Sequence, residues 1–384
     1  MSTTTVPTAV SDALQSATGH HAAARVVLNA ALESGIASHA YLFHGPRGVG
    51  KAETARAFAA ALLSEGSADP ESASLRAIRG SHPDLTWVKP SGAHEMLIED
   101  IDDRVIRGAT RTPMEGARRV FVLERVETMS EKVANRMLKT LEEPAEFVHF
   151  ILITAEPETM LPTVVSRCQS VRFDAIPVSA VAARLREEGV ESTRADSCAA
   201  LSGGDLVLAR ELSDDDGDAM RSEAGRIVAC ALRGVSGSTS PWEPVLTRAV
   251  AAGEAAEADR LALLEQVVEA LPKGRERTAA QKAGEQAAHR IARRVRSDAL
   301  DRSLRIAALL LRDLAVTAAG APDLVLAVDR APSITKAAAG RSMSSLIAAA
   351  TEIDETRGML RRNVSEDLTL QALSFKLDRL LAGI

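Results

Sequence analysis

Gly45, Pro46, Arg47, Gly48, Val49, Gly50 and Lys51 put backbone freedom and one cation into seven consecutive residues. Glycines at 45 and 50 let the chain curl until successive N–H groups face one anion. Lys51 sets an ammonium beside the β and γ phosphates of a nucleotide. A helix starting there adds the positive end of its dipole. The chemistry is nucleoside triphosphate binding by a P-loop. The expected contacts run from Gly45 to Lys51 and on through Ala52 and Glu53. A Ser or Thr normally follows the lysine and ligates Mg²⁺ through its hydroxyl. Ala52 stands there instead. ATP is therefore expected to bind through the backbone, while metal-assisted hydrolysis suffers.

Hydrolysis also needs a carboxylate at the end of a second strand to hold Mg²⁺, and a glutamate beside it to polarise water. Glu124 follows the apolar run Val120–Leu123 and takes the metal position. Its neighbour is Arg125, and a guanidinium cannot act as a base. Glu127, two residues further on, is the remaining candidate. The plainer alternative for Glu124 and Glu127 is a pair of solvated loop charges. On either reading these residues describe a weak or absent ATPase.

Such groups need a scaffold that gathers strand ends. Tyr41–Phe43 is a short apolar strand entering the glycine loop, and Lys51–Leu63 reads as the helix leaving it. Further strands are expected at Leu85–Val88, Val120–Leu123, Phe150–Thr154 and Val171–Phe173, with a helix at Ser130–Glu142 capped by Ser130. Residues 1–10 read as a frayed tail. Residues 11–34 read as one helix with Ala22, Val26, Val27, Ala30 and Ala31 as its apolar positions, and 64–82 as a loop of turn formers. Strands alternating with helices predict a parallel sheet covered on both faces. Beyond Ala175 short helices dominate. Residues 234–241 have a linker's composition, and 242–384 are helical almost throughout.

At 384 residues the chain is long enough for two or three domains, and 46% hydrophobic residues supply a packed core. Its three cysteines, Cys168, Cys198 and Cys230, are too sparse for a disulfide framework, so a reducing cytoplasm is expected. A net charge of −6 argues against gripping nucleic acid unaided. No run of 18 apolar residues and no basic-then-apolar start appear, so neither membrane span nor signal peptide is expected.

Two segments narrow the reading. Asn135–Pro144 contains Lys139-Thr140-Leu141-Glu142-Glu143-Pro144, and Leu161–Cys168 ends in Ser166-Arg167-Cys168. With His39–Phe43 and Ser81–Asp84, they resemble the AAA+ clamp-loader subunits of bacterial DNA polymerase III, gamma/tau and delta prime, over roughly residues 19–174. The resemblance implies an α/β P-loop NTPase (AAA+) domain with a parallel sheet over 1–174 and a small helical lid domain over 175–233. A linker at 234–241 and an all-α C-terminal collar domain over 242–384 complete it. It implies that Arg167 is an arginine finger reaching the ATP site of an adjacent subunit, a role that suits a planar, permanently charged fork. It implies that Thr154 lies near the γ-phosphate on a sensor strand. The simpler alternatives are an Arg167 paired with a local carboxylate and an ordinary buried threonine.

The family's zinc module would fall in 64–82, which holds no cysteine, so no zinc is expected. Ala52, Arg125 and Val207, the last where gamma/tau would carry a sensing arginine, resemble the delta prime pattern; Arg210 lies one turn later. The implied function is ATP-dependent loading of a sliding clamp on primed DNA, in a ring with gamma/tau and delta subunits and away from membranes. A gamma/tau-type motor ATPase and a nucleotide-sensing scaffold outside replication are the alternatives. Lys273, Arg275, Arg290, Arg293, Arg294 and Arg296 form a basic stretch that reads as a DNA-facing patch or, more simply, a solvated helix face. The stripes Leu304, Ala308, Leu311, Ala315 and Leu346, Ile347, Ala350, Ile353, Leu360 fit either an oligomer collar or a monomer core.

Overall fold

The computed structural model describes residues 7–92, 95–272, 274–360 and 364–382. The chain forms two compact units that meet between Ile176 and Pro177. In the first, the elements are α1 (Thr8–Ala17), α2 (Ala22–Ser34), β1 (Ala40–His44), α3 (Lys51–Ser64), α4 (Pro70–Arg79), β2 (Leu85–Val88), α5 (Ile98–Ile101), α6 (Arg107–Ala109), β3 (Arg119–Glu124), α7 (Glu131–Glu142), β4 (Val148–Thr154), α8 (Pro162–Val165) and β5 (Gln169–Arg172).

The strands form one parallel sheet in the order β2-β3-β4-β1-β5. Parallel strands need crossovers, and the helices between them supply both covering layers. Alternation along each strand divides the side chains. Leu42, Phe121, Leu123, Phe150 and Leu152 join a core with Met96, Ile101, Val133 and Met137. Tyr41 and Phe43 belong to the other face and meet Phe58 of α3, with ring centroids 5.0 and 6.4 Å apart. All seven residues of β4 are buried, as a central strand requires.

Three local features depart from expectation. The helix read over 11–34 is two helices, broken at residues 18–21, and α2 buries Ala24, Leu28 and Ala31 while Val26 faces solvent. The loop read over 64–82 contains α4. Asp69 caps it by accepting from Ser72 N at 3.0 Å, Pro70 starts it, and Gly80 ends it at φ 77°. Aspartate and proline are turn formers, but side by side they are also a helix start. Ser130 sits at the N-cap of α7 without a side-chain cap bond.

The second unit is helical: α9 (Val178–Glu187), α10 (Ser192–Ser202), α11 (Leu206–Ser213), α12 (Asp215–Ala231), α13 (Ser236–Thr239), α14 (Glu243–Glu269), α15 (Arg275–Ala318), α16 (Ala331–Ala338), α17 (Met343–Leu360) and α18 (Glu366–Ala382). At about 1.5 Å per residue, α15 runs roughly 66 Å. It packs closely on α14: a Cβ on Gly253 would fall 2.8 Å from the Ala292 carbonyl oxygen. The segment 234–241, linker-like in composition, is held down. Buried Ser236 donates to Asp378 of α18 from its N–H at 3.0 Å and from its hydroxyl at 2.5 Å.

Leu304, Leu311, Ala315, Leu346, Ile353 and Leu360 are buried inside this unit, so core packing accounts for most of both stripes; Ile347 stays exposed. Arg290, Arg293 and Arg294 all have interaction partners, and Lys273 lies outside the described residues. Among the described residues no helix is long and apolar enough to cross a membrane.

Candidate functional site

β1 enters the glycine loop from the middle of the sheet, between β4 and β5. Gly45, Gly48 and Gly50 have φ of 139°, 66° and 93°, in the region that favours glycine. Gly45 is also forced by space, since a Cβ there would stand 2.0 Å from the Phe173 carbonyl oxygen. Lys51 is buried at the start of α3. Its ammonium donates to the carbonyls of Gly45, at 2.6 Å, and Pro46. Val49 is buried, and its carbonyl accepts from His21 Nε2 at 2.6 Å. Burial pushes the pKa of His21 below its ordinary value, which keeps a neutral ring with one N–H to give. The break between α1 and α2 thus seats His21 under the loop, while Pro46, Arg47 and Glu53 face solvent.

Strand register brings the other expected residues to the same edge. Thr154 pairs with His44, the residue before Gly45, and Glu124 pairs with Ile153. Thr154 is buried, with its oxygen accepting from Glu156 N at 3.1 Å and its hydroxyl proton left to donate. Glu124 Oε1 accepts from Trp87 Nε1 at 2.6 Å and lies 3.3 Å from Lys89 Nζ. Trp87 in turn carries the Arg56 guanidinium 4.3 Å above its ring. The cradle of glycine N–H groups and a buried lysine suits a polyphosphate. The donor set suits Mg²⁺ poorly, because Ala52 brings no oxygen and one oxygen of Glu124 is already engaged. Among the described residues no group of three His, Cys, Asp or Glu side chains could hold a metal ion. Arg125 occupies the left-handed region at φ 55° and opens the turn Val126–Thr128.

Arg167 lies at the opposite edge. It follows α8 and precedes β5, whose first residue, Gln169, pairs with Tyr41 near the start of β1. Its groove is shared with Ser38, His39 and Ala40. The length of β1, about 16 Å at 3.3 Å per residue, separates it from Gly45. Arg167 pairs with Glu142 at the end of α7 and donates from Nη1 to the Thr163 carbonyl at 2.7 Å. At the next residue, Cys168, burial pushes the thiol up to about 12, which disfavours the thiolate.

In the second unit Val207 is exposed on α11. Arg210 grips both carboxylate oxygens of Glu188, which holds that carboxyl below its ordinary pKa. Sequence reasoning missed His21, Trp87 and Lys89. Nothing in their spacing signals them, since each meets its partner only across the fold.

A parallel sheet with a glycine-lysine loop after β1, an acidic residue at the end of β3 and β4 inserted between those two strands defines a P-loop NTPase fold of the AAA+ class. Residues 20–177 match the family model described as DNA polymerase III, delta subunit. Over 185 residues the chain is 32% identical to DNA polymerase III subunit delta' of Bacillus subtilis, covering 47% of this chain and 55% of that one. Over 203 residues it is 32% identical to the delta' subunit of Pseudomonas aeruginosa, covering 50% and 60%. It is 36% identical to DNA polymerase III subunit tau of B. subtilis over 156 residues, 39% of this chain and 27% of that one. The chain thus spans little more than half the length of these delta' relatives. Through the matched segment, residues 20–177, it is similar to DNA polymerase III delta' subunits.

Proposed function

We propose that the chain acts as the delta prime subunit of a DNA polymerase III clamp loader. In this reading it sits in a hetero-oligomeric ring with gamma/tau and delta subunits and helps load a sliding clamp on primed DNA in the cytoplasm. Residues 175–233 are its helical lid, and 242–384 its collar.

The observation that carries the reading is the placement of Arg167. It lies a full strand length from the chain's own glycine loop, at the other edge of the sheet. A finger there serves only a nucleotide held by a neighbouring subunit. Its guanidinium would meet charge developing on the neighbour's γ-phosphate, the kind of stabilisation that an arginine finger supplies. The ion pair with Glu142 is partly exposed, and a surface pair of that sort is worth only about 0–1 kcal/mol. It leaves other N–H groups of the guanidinium to meet a stronger anion.

The chain's own loop supports a second, lesser role. Gly45–Gly50, Lys51 and Thr154 are arranged to hold ATP, while Ala52, the engaged Glu124 and Arg125 leave hydrolysis without its usual metal and base. Own-site ATP would then be structural.

The test is ATP hydrolysis by the reconstituted complex carrying Arg167→Ala. Hydrolysis falls while the complex still assembles on gel filtration. Wild-type hydrolysis in that complex removes the role.

A further inference from the structure

α7 ends on two carboxylates, Glu142 and Glu143, at the negative end of its dipole, where acidic side chains are disfavoured. A compensating cation arrives from outside the helix: Glu142 Oε1 pairs with Arg167 Nη2. The second anchor of Arg167 is the Thr163 carbonyl, 2.7 Å from Nη1. Both anchors rest on fixed ground. Leu141 beside Glu142 and Val164 beside Thr163 are buried, and the Cys168 thiol donates to the Val164 carbonyl at 3.3 Å. A guanidinium has five N–H groups, and these bonds, with a long one from Nη1 to Ser166 Oγ at 3.5 Å, leave others to give. A groove of about 680 Å³ runs alongside, walled by Ser38, Pro144 and Gln169.

We infer that Glu142 is a positioning residue that holds the Arg167 guanidinium ready for the neighbour's γ-phosphate. This rests on the reading of Arg167 as a finger acting in trans. An unheld arginine must lose its rotamer freedom when the reaction occurs, whereas a pre-ordered fork has already lost it. The opposite role for the same contact is a latch that withholds the arginine, and the two roles differ in sign.

The measurement is steady-state ATP hydrolysis by the reconstituted complex containing the full chain. It compares Glu142→Ala, Glu142→Gln, Arg167→Ala and the Glu142→Ala/Arg167→Ala double variant. Glu142→Ala lowers kcat about fivefold, the upper range for losing a surface ion pair, with KM for ATP and assembly unchanged. Glu142→Gln, which keeps an acceptor oxygen, retains more of the rate. In the Arg167→Ala background, Glu142→Ala has no further effect. If Arg167→Ala slows hydrolysis but Glu142→Ala leaves it unchanged or raises it, the inference is overturned and the finger stands. An equal fold-loss in both backgrounds also overturns it. A wild-type rate with Arg167→Ala removes the finger and the positioning role together.

Discussion

His149 shows what burial does to a single side chain here. Its ring is 3% exposed, stacked on His39 with centroids 5.6 Å apart. Nδ1 donates to the Ser38 carbonyl at 3.0 Å, and Nε2 accepts from Arg118 Nη1 at 3.4 Å, which requires the neutral form. Burial, followed by the nearby Arg118 and His39, lowers its pKa to about 4. The unfolded ring titrates near its ordinary 6.5. The folded value is the lower one, so this stability is full above pH 6.5 and drains away as pH falls towards 4. The rate of loss is at most about 1.4 kcal/mol per pH unit. Burial also lowers His21 and His82, which act in the same direction. Replacing His149 with Gln should therefore make melting temperature less steep in pH across that window without flattening it. A slope equal to wild type refutes the assignment.

α4 and α7 carry the lessons at the level of secondary structure. α4 depends on Asp69, whose carboxylate holds the Ser72 N–H. Asp69→Ala should cost about 1 kcal/mol of stability in urea unfolding. A loss near zero would mean that packing of Ala73 and Ala77 alone fixes the helix. The neighbouring Ser81–Asp84 segment is a lock. Buried Asp84 accepts from the N–H groups of Met114, at 2.8 Å, and Glu115, at 3.0 Å, and so ties the approach of β3 to the start of β2. α7 links the two edges of the sheet. It begins shortly after the Glu124 turn and ends at Glu142 beside Arg167, about 18 Å away at 1.5 Å per residue. One helix therefore spans from the Glu124 end of the sheet to the Arg167 end.

Across the chain, an α/β unit with a nucleotide loop is followed by a unit built only of helices. With a net charge of −6, the chain's own field does not favour gripping nucleic acid unaided. The isolated chain should hydrolyse ATP no faster than its Lys51→Ala variant in a phosphate-release assay. Turnover that Lys51→Ala abolishes would favour the motor-ATPase reading instead.

Much of this was legible in local pattern. Glycines and a lysine at fixed offsets between an apolar strand and a helix announce the phosphate loop, because each contribution is made by consecutive backbone. The same holds for the missing hydroxyl at Ala52 and for β1, β3 and β4, whose apolar runs reflect burial on both faces. Three things were not legible. α4 was hidden because aspartate and proline serve turns and helix starts alike. The anchoring of the 234–241 segment was hidden because its partner, Asp378, lies far along the chain. The pairing of Glu124 with Trp87 and Lys89, and of Arg167 with Glu142, depends on which strands and helices become neighbours. Local spacing specifies which groups are present and what they are able to do. Sheet order and register, set by long-range packing, put the glycine loop and Arg167 at opposite edges.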